Sequence, residues 1–446
     1  MRTPLLRGIV AAAAVVVTLA GCGGGSKTGT NAPAPQLSAA GEKSGTLTIV
    51  TKFADPQYAP YFVSVAKAYE AANPKVKVDL QQVGDQPYKD KIRVLSAAKQ
   101  LPDIYFSWAG DFANKFVRAG LAADLTSIIG PDTEWGKTFA PAALKAFQYS
   151  GKYYGMPINL DGKYLAYNKT AFTKAGITTP PATFEELLTD CGKLKSAGYT
   201  PIALGNQYGW PAIHYITQLN AYDVNNQQLA KDYDPATGAF TDPGYITALQ
   251  QFKTLASTCS NPSANGLSHE AAQANLLSGK AAMQYIESVE FKVMTEKGGA
   301  SKAVADNWSF MRLPPSSSAA GDTKALTGAP DGFMVNAKSP QAALAVDFLK
   351  FFSNQQNAQK MVKDLGWLSP VSGSVNSQNA FPQLEETLKD MGQASQFAIW
   401  LDTVTHAEVA SAYLSGVEGM LNGDRTPEQV MQGVQNAAAK AKKQVG

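Results

Sequence analysis

Strand-like and helix-like segments alternate from residue 47 onward, and this alternation limits the possible folds more than any other feature. Residues 47–50 form a short β-branched strand, and residues 61–72 follow with helical spacing that stops at Asn73 and Pro74. The next predicted elements are a strand at 76–80, a helix at 88–98, a strand at 103–107 and a helix at 112–119. Strands and helices in turn predict an α/β domain with a largely parallel sheet.

A second run of the same kind begins after residue 157. Thr183, followed three residues later by Glu186, has the form of a helix capping box. The run continues with a strand at 201–204, helices at 245–257 and 269–277, and a strand at 309–313. A strand at 332–336, an apolar helix at 340–352 and a mostly helical tract from residue 381 complete the chain. The pattern predicts a change of lobe near residue 157 and a return near residue 326.

Residues 1–21 have the composition of a secretory signal peptide. Arg2 and Arg7 precede an apolar run over residues 9–20. This run is too short to span a bilayer comfortably, because a spanning helix needs roughly 20 apolar residues. The small residues before Cys22 resemble the lipobox of bacterial lipoproteins, in which the cysteine is lipid-modified and becomes the first residue of the mature chain.

A lipid on Cys22 would anchor the chain to the outer face of the cell membrane, outside the cytoplasm. Residues 22–45 are rich in Gly, Ser, Thr, Ala and Pro, and we expect them to form a flexible linker between the anchor and the fold. Two alternatives stay open at this point. One is an ordinary signal peptide with Cys22 incidental, and the other is a cytoplasmic chain with an apolar N-terminus.

The mature chain is almost neutral. Without residues 1–21 it carries 37 basic and 36 acidic residues, a net charge of +1. This balance gives no electrostatic reason to expect binding to nucleic acid or to an anionic membrane surface. A hydrophobic content of 45% is enough for buried cores, and some 425 residues correspond to about two to three domains.

Cys191 and Cys259 are the cysteines that are left once Cys22 is set aside. An even pair in an exported chain is compatible with a disulfide, which persists in oxidising compartments. Two buried free thiols are the alternative. No Cys-x-x-Cys motif or Cys/His cluster indicates zinc or redox chemistry, so we expect neither a metal nor a cofactor.

Four stretches of the chain carry a family resemblance. They are Gly-Met-Pro at 155–157 with Tyr-Asn-Lys and its continuation at 167–176, Pro-Pro-Ala-Thr-Phe-Glu-Glu-Leu at 180–187, Gly-Lys-Ala-Ala-Met at 279–283, and the helix at 342–352 with Phe-Leu-Lys-Phe. Together they resemble family 1 of the extracellular solute-binding proteins, which serve ATP-driven carbohydrate importers. They occur in the family's order over nearly all of the mature chain.

The resemblance implies a two-lobe, periplasmic-binding-protein-like α/β fold. Each lobe has a mainly parallel sheet flanked by helices, and a hinge between the lobes closes them on the ligand. We expect lobe one to hold residues 46–157 and 326–371, and lobe two to hold residues 158–325 and 372–446. Both remaining cysteines then lie in lobe two.

The resemblance also implies the partners of the chain. It would act as a monomer without catalytic residues, bind a mono- or oligosaccharide in the cleft, and deliver it to the membrane permease subunits of an ABC importer. A separate ATPase would supply the energy.

Sugars present apolar C–H faces and a rim of hydroxyl groups, so a sugar site needs aromatic surface and polar side chains. In lobe one, Lys52 follows the first strand, and Trp108 and Asp111 follow the strand at 103–107. Open α/β sheets bind their ligands at these carboxyl ends of strands. Asp331 precedes the returning strand, in a loop that in the family faces the cleft.

The crossing segment and lobe two supply further candidates. Asn159 and Asp161 could bond sugar hydroxyls, although Asx residues also favour hinge turns without any ligand. Trp210, in a Gly-flanked aromatic loop, is our first choice for a platform that stacks on sugar. Asp402 is another candidate, whereas Trp400 is expected to lie in a core because it falls in a helical tract.

The chain departs from the family after residues 279–283. Relatives often carry a small residue and a sugar-stacking tryptophan there, whereas this chain has Tyr285 and Glu287. We expect Tyr285 or Glu287 to contact the ligand instead. A glutamate favours an amine or additional hydroxyls on the ligand, so a sugar, an amino sugar and a polyol all stay open.

An exported glycoside hydrolase is the main alternative function. It needs two carboxylates held roughly 5–10 Å apart across a cleft, but the acidic pairs at 185–186 and 385–386 fall at helix starts, where acids favour the helix dipole. A metalloprotease is disfavoured because Gln273 stands where an HExxH motif starting at His269 needs its second histidine. A structural lipoprotein or adhesin would not need the loop tryptophans.

Overall fold

The computed structural model describes Leu37 and residues 43–445. The predicted signal peptide at 1–21, the predicted lipidation site Cys22 and most of the predicted linker at 22–45 lie outside the described residues. No described helix combines the length and the apolar composition that crossing a membrane requires.

Strands and helices alternate as the sequence predicts, with ends that differ from the predicted ones by a few residues. The described strands are β1 (Gly45–Thr51), β2 (Val76–Gln82), β3 (Ile104–Trp108), β4 (Gln148–Tyr149), β5 (Lys152–Tyr153), β6 (Gly155–Pro157), β7 (Lys163–Asn168), β8 (Thr200–Ile202), β9 (Ala281–Glu287), β10 (Trp308–Met311), β11 (Leu326–Thr327), β12 (Asp331–Val335) and β13 (Phe397–Ala398).

Helices cover much of the rest of the chain. The described α-helices are α1 (Ala59–Ala72), α2 (Asp85–Ala97), α3 (Asp111–Arg118), α4 (Thr126–Ile129), α5 (Pro141–Lys145), α6 (Lys169–Lys174), α7 (Phe184–Ser196), α8 (Trp210–Asp223), α9 (Asn226–Tyr233), α10 (Gly244–Cys259), α11 (His269–Leu277), α12 (Lys302–Ala305), α13 (Ala342–Phe352), α14 (Gln355–Leu365), α15 (Pro382–Met391), α16 (Leu401–Val404), α17 (Ala407–Asn422) and α18 (Pro427–Val445). Short 3-10 turns lie at Gly136–Thr138, Ala264–Gly266, Ser288–Met294 and Glu296–Gly298. The predicted capping box at Thr183 and Glu186 is confirmed at the start of α7.

Two open sheets organise the described chain. The first sheet has the strand order β2-β1-β3-β12-β6, and the second sheet has the order β10-β7-β9-β8. In the first sheet β1 is parallel to β2 and β3, whereas β12 is antiparallel to both β3 and β6. In the second sheet β7 is antiparallel to β9 and β10, and β8 is parallel to β9.

Strand direction is where the sheets differ from the expectation that both are mainly parallel. The chain leaves the first sheet at the end of β6 and re-enters it at the start of β12. Both points lie at the same end of the strands, so these two neighbouring strands run in opposite directions. In the second sheet β7 begins where β9 ends, with Lys163 opposite Glu287, which again forces an antiparallel pair. The fold is therefore mixed α/β rather than mainly parallel.

Each sheet has its own hydrophobic core. The first core surrounds the first sheet and includes a stack of Phe53 on Phe62, with ring centroids 4.7 Å apart, and the indole of Trp367 at 5.1 Å from Phe53. Burying each such aromatic side chain stabilises the fold by roughly 1.5–3 kcal/mol. The second core surrounds α8, whose residues 211–223 are all buried. Because α8 is buried on all sides, the helix is held in place, and so are the side chains of its first turn.

The two sheets are linked by segments that pass close to each other. Leu160 donates its N–H to the carbonyl of Leu368 at 2.7 Å, and Gly328 donates to the carbonyl of Ala398 at 3.0 Å. A Cβ atom on Gly328 would lie 2.2 Å from the carbonyl oxygen of Asp161, so only glycine allows this approach. The lobe boundaries predicted from the sequence stay a prediction.

Cys191 and Cys259 form a disulfide, which excludes the alternative of two free thiols. The bond joins α7 to the end of α10, with the Cα atoms 5.3 Å apart and both side chains fully buried. The two cysteines are 68 residues apart. Closing a loop of that length removes about 4 kcal/mol of unfolded-chain entropy in the simple chain model.

We predict that the double variant Cys191→Ala, Cys259→Ala is less stable by about 2–5 kcal/mol, because its unfolded chain regains the loop entropy. Urea unfolding followed by circular dichroism measures the loss. Cys22→Ser is the matched control, since it removes the cysteine outside the pair and should leave the unfolding free energy unchanged. Equal stability of the double variant and the parent would contradict the prediction.

Candidate functional site

Three predicted site residues lie together at one edge of the first sheet. Lys52 follows β1, Trp108 is the last residue of β3, and Asp331 is the first residue of β12. Because β12 runs antiparallel to β3, its first residue pairs with the last residue of β3, and Asp331 lies opposite Trp108. This is the edge at which open α/β sheets bind ligands.

Lys52 is the centre of a charge network at this edge. Its Nζ lies 3.5 Å from Asp85 Oδ1 and 3.7 Å from Asp331 Oδ2, and 4.9 Å from the ring of Trp108. Lys89, one turn beyond Asp85 on α2, reaches the other oxygen of that carboxylate at 3.6 Å. Burial opposes the charge of Lys52, but the carboxylates, Asp331 foremost, outweigh it and raise its pKa above the usual value.

A second charge pair faces this edge from the second sheet. Lys163 begins β7 and Glu287 ends β9, and their side chains meet with Nζ 3.2 Å from Oε1. The Lys163 side chain is fully buried, and its Nζ lies 4.7 Å from the ring of Trp210. A buried ammonium group is stable only when it is paired, and here it has both a carboxylate and an aromatic face.

Helix α8 contributes an aromatic and an imidazole ring. Trp210 and His214 are four residues apart and therefore lie on the same face of the helix. The ring of His214 packs between Trp210, with centroids 5.1 Å apart, and Trp400, stacked at 4.3 Å. Burial, and the nearby ammonium of Lys163, lower the pKa of His214, so its imidazole is neutral at pH 7.

Behind Trp210, the His269–Glu290 pair holds the end of β9 in place. His269 Nε2 lies 2.7 Å from Glu290 Oε1, and the His269 ring packs on Trp210 at 4.7 Å. Glu290 Oε2 also accepts the backbone N–H of Glu287 at 2.9 Å. Although burial opposes its charge, the interaction with His269 lowers the pKa of Glu290 to about 2. The His269–Glu290 pair thus holds both Trp210 and Glu287 in position.

Most of these groups line one cavity of about 60 Å³ between the two sheets. It is lined by side chains from both sides of the cleft, namely Lys52, Asp85, Lys89, Trp108, Asp161, Trp210, His214, Glu287, Asp331, Trp400, Asp402 and Thr403. Three indole rings and a dense set of charged groups thus face a common space. Such a cavity can hold a small ligand that has both apolar faces and hydrogen-bonding groups.

Carboxylates in the cavity influence one another. Asp161 accepts from Ser288 Oγ at 2.7 Å, but burial and the charges of Glu287 and Asp331 raise its pKa well above the usual value. Burial raises the pKa of Asp331 to about 6, with Lys52 opposing the shift and Glu287 adding to it. Burial is the main cause of both shifts, and the neighbouring carboxylates add to it.

Two buried polar atoms in the cavity lining lack a hydrogen-bond partner in the described part of the chain. They are His214 Nδ1 and Asp402 Oδ1. The nearest charged contacts are longer than hydrogen bonds, at 3.5 Å from His214 Nδ1 to Glu287 Oε1 and 3.6 Å from His214 Nε2 to Asp402 Oδ1. Unpaired buried polar atoms cost free energy, and a bound ligand could pair them.

A larger cavity adjoins the charged one. It has a volume of about 580 Å³, and its lining includes Leu160, Ala329, Phe397 and Ile399. Asp161 belongs to the lining of both cavities. The larger cavity is mostly apolar and has few groups that could orient a polar ligand, so we place the chemistry in the smaller one.

Seven of the residues predicted from the sequence line the charged cavity together. They are Lys52, Trp108, Asp161, Trp210, Glu287, Asp331 and Asp402.

Three other predicted residues lie outside its lining. Asp111 forms a two-oxygen pair with Arg118, at 2.6 and 2.9 Å. Asn159 accepts the backbone N–H of Asp331 at 2.7 Å and so positions that aspartate. Tyr285 is buried, and its ring packs against Tyr215 at 4.4 Å.

Sequence reasoning missed several lining residues. His214 could have been found from its i+4 spacing to Trp210, and Asp85 from its place just after β2. Lys163, which lies behind the lining, gave no signal, because its partner Glu287 is 124 residues away. The sequence predicts that Trp400 lies in a core. Its side chain is 4% exposed and belongs to the first core, but it also lines the cavity.

Metal binding has no support in the described residues, where no group of three or more His, Cys, Asp or Glu side chains is arranged to hold an ion. Lysines contact Asp85, Asp331 and Glu287, and Asp161 accepts a hydrogen bond from Ser288.

Comparisons with known proteins agree with this architecture. The chitin oligosaccharide binding protein is a solved structure that aligns with a TM-score of 0.82 at 23% identity, covering 90% of this chain and 99% of that one. The likeness shows a shared fold, that of periplasmic-binding-protein-like solute receptors.

Relatives in sequence match over shorter regions. A binding protein of Brucella abortus is 29% identical over 207 residues, 44% of this chain and 46% of that protein. The maltotriose-binding protein of Pyrococcus abyssi is 34% identical over 132 residues, 30% of this chain and 27% of that protein. The chain thus matches less than half the length of these curated relatives.

A family model described as bacterial extracellular solute-binding protein matches residues 55–359, which is more than half of the chain. The family consists of binding proteins and not of enzymes, which removes the alternative of an exported hydrolase. The chain therefore belongs to the bacterial extracellular solute-binding proteins and is an extracytoplasmic binding protein rather than an enzyme.

Proposed function

We propose that the chain is the receptor of an ABC importer and captures a mono- or oligosaccharide in the cleft between its sheets. The observation that carries the proposal is the cavity in which Trp108, Trp210 and Trp400 face a space rimmed by charged side chains. Indole rings stack on the apolar C–H faces of a sugar, while carboxylates and ammonium groups pair with its hydroxyls.

The size of the cavity supports a single ring at its centre. About 60 Å³ is room for about four to six water molecules, on the measure by which one water needs roughly 10–15 Å³. The adjoining space of about 580 Å³ could take further rings of an oligosaccharide. Relatives support a sugar ligand, since one is a maltotriose-binding protein and another is the melibiose/raffinose/stachyose-binding protein of Bacillus subtilis.

The two sheets would act as two lobes that close on the ligand by hinge motion. We assign residues 46–157 and 326–371 to one lobe, and residues 158–325 and 372–446 to the other. The close approach of Gly328 to the carbonyl of Asp161 supports a compact hinge at the crossing segments.

Closure is supported by a contact across the cleft. Gly110, just before α3, lies so close to α16 that a Cβ atom there would be 2.8 Å from the Cα of Val404 and 2.9 Å from the carbonyl oxygen of Thr403. A side chain at this position would hold the two sides apart.

The signal peptide at 1–21 and the lipid on Cys22 would keep the receptor at the outer face of the cell membrane. The linker at 22–45 would let it reach the permease subunits, to which it delivers sugar as a monomer. A receptor without an anchor or a retaining compartment would diffuse away from its importer, so the lipobox resemblance supports the transport role.

Trp210→Ala should weaken sugar binding at least tenfold, because the ring is only half-buried and its loss removes a stacking platform more than core packing. Isothermal titration calorimetry with the sugar that most raises the melting temperature in a panel measures the change. Tyr208→Ala is the matched control, since this neighbouring ring is 41% exposed and does not line the cavity. Unchanged affinity in Trp210→Ala would remove it from the site, and a panel without any bound sugar would refute the saccharide proposal.

Gly110→Ala should also weaken sugar binding, since its Cβ obstructs closure against α16. Its backbone is left-handed, with φ of +87°, so part of any stability loss is backbone strain. Gly120→Ala controls for that strain, because Gly120 also has a positive φ, +64°, but open space around its Cβ position. Equal affinities of the two variants would show that the contact with α16 does not limit closure.

Cys22→Ser should move the protein from the membrane fraction to the culture medium or the soluble fraction, because it removes the thiol that would carry the lipid. Immunoblots of fractionated cells and incorporation of labelled palmitate measure the change. Ser26→Ala, in the same predicted linker, should stay membrane-bound. Membrane retention of Cys22→Ser would show that another part of the chain anchors it, and a parent protein found in the soluble fraction would favour an ordinary signal peptide.

A further inference from the structure

Carboxylates outnumber ammonium groups in the charged cavity. Among the described residues, five lining side chains are carboxylates, namely Asp85, Asp161, Glu287, Asp331 and Asp402. Two lining side chains are ammonium groups, those of Lys52 and Lys89, and Lys163 lies directly behind Glu287. With His214 neutral, five carboxylates against three ammonium groups leave an excess of two negative charges.

The three lysines are already committed to particular carboxylates. Lys52 is shared between Asp85 and Asp331, Lys89 also contacts Asp85, and Lys163 holds Glu287. Each of these ammonium groups therefore lies closest to Asp85, Asp331 or Glu287.

Among the described residues, Asp161 and Asp402 have no lysine or arginine nitrogen within ion-pair distance. Asp161 is bonded to Ser288 and to the backbone of Val289, and forms no ion pair with a lysine or arginine in the described part of the chain. Asp402 lies 3.6 Å from the imidazole of His214. Burial opposes its charge, but His214 and the more distant ammonium of Lys89 outweigh burial and lower the pKa of Asp402. Its side chain is 8% exposed, and its Oδ1, in the cavity lining, has no hydrogen-bond partner. This oxygen is a buried acceptor that requires a donor from outside the chain.

The geometry points to a saccharide that carries a protonated amine as the ligand of this cavity, an inference that rests on the proposed sugar-binding function. Hydroxyl groups could donate to Asp402 Oδ1, but they would leave the excess negative charge of the cavity uncompensated. Buried charge without compensation is costly, and an ammonium group supplies both the donor and the compensating charge. Lining indoles add a favourable surface for a cation.

The mutual influence of the carboxylates agrees with this reading. Burial and the negative charges of Glu287 and Asp331 raise the pKa of Asp161, which means that these surroundings disfavour the charged form of its carboxyl group. A bound cation would favour the charged form. A neutral sugar would not supply that compensating charge.

The test compares ligands that differ only in charge. Calorimetry on the purified full chain would use glucosamine, galactosamine and mannosamine, each beside its neutral parent hexose and its N-acetyl derivative, at a pH where the amines are protonated. We expect at least one amino sugar to bind at least tenfold more tightly than both neutral counterparts, a difference of about 1.4 kcal/mol. Putrescine and choline serve as cations that are not sugars.

Asp402→Asn, which keeps the shape but removes the charge, should reduce that preference at least fivefold. Its effect on the neutral sugars should be smaller. Asp306→Asn is the matched control. The carboxylate of Asp306 is exposed, pairs with Lys302 and does not line the cavity. The comparison of ligands on the unaltered chain does not depend on whether either variant folds.

The outcomes separate this inference from the proposed function. Neutral sugars that bind as tightly as the amino sugars, or more tightly, would overturn the inference and leave the saccharide receptor intact. Binding of putrescine or choline without any sugar would uphold a cationic ligand and refute the saccharide function. No detectable binding of any amine would overturn the inference.

Discussion

The return of the chain to its first sheet is the constraint on which the site depends. Strand β12 enters between β3 and β6, antiparallel to both, after the whole of the second sheet has been built. This pairing puts Asp331 opposite Trp108, and it also brings the segment around Gly328 beside Asp161. The edge that carries the candidate site and the crossing between the sheets are therefore the same place, so residues at that edge face both halves of the molecule.

Two networks, each centred on a lysine, meet at this edge. Both combine the lysine with a tryptophan ring and a carboxylate. Lys52 lies over Trp108 and is held by carboxylates, and Lys163 lies near Trp210 and is held by Glu287. In each network a charge partner and an aromatic face offset the desolvation cost of the buried cation. The indoles and carboxylates are thus fixed before a ligand arrives, which reduces the ordering that binding requires.

Local patterns were enough to predict the elements and the binding edge, because strand ends can be read from a few neighbouring residues. Lys52 and Trp108 were found in this way. Asp111 follows the same strand, but its place at the start of α3 turns it to Arg118, an orientation that sequence alone does not give. Lys163 could not be found, since only the pairing of β7 with β9 brings it to Glu287. Strand directions were missed for the same reason, as they depend on where the chain re-enters each sheet.

Charge and closure are coupled in the proposed receptor. Asp85 and Asp331 belong to the first side of the cleft, and Glu287 and Asp402 to the second, so closing the cleft brings like charges into one cavity. Burial raises the pKa of Asp331, and the charge of Glu287 on the other side adds to that shift. A ligand that compensates the carboxylates binds the closed form better than the open form, and it shifts the population by that difference in affinity. The charges that select the ligand therefore also make closure depend on it.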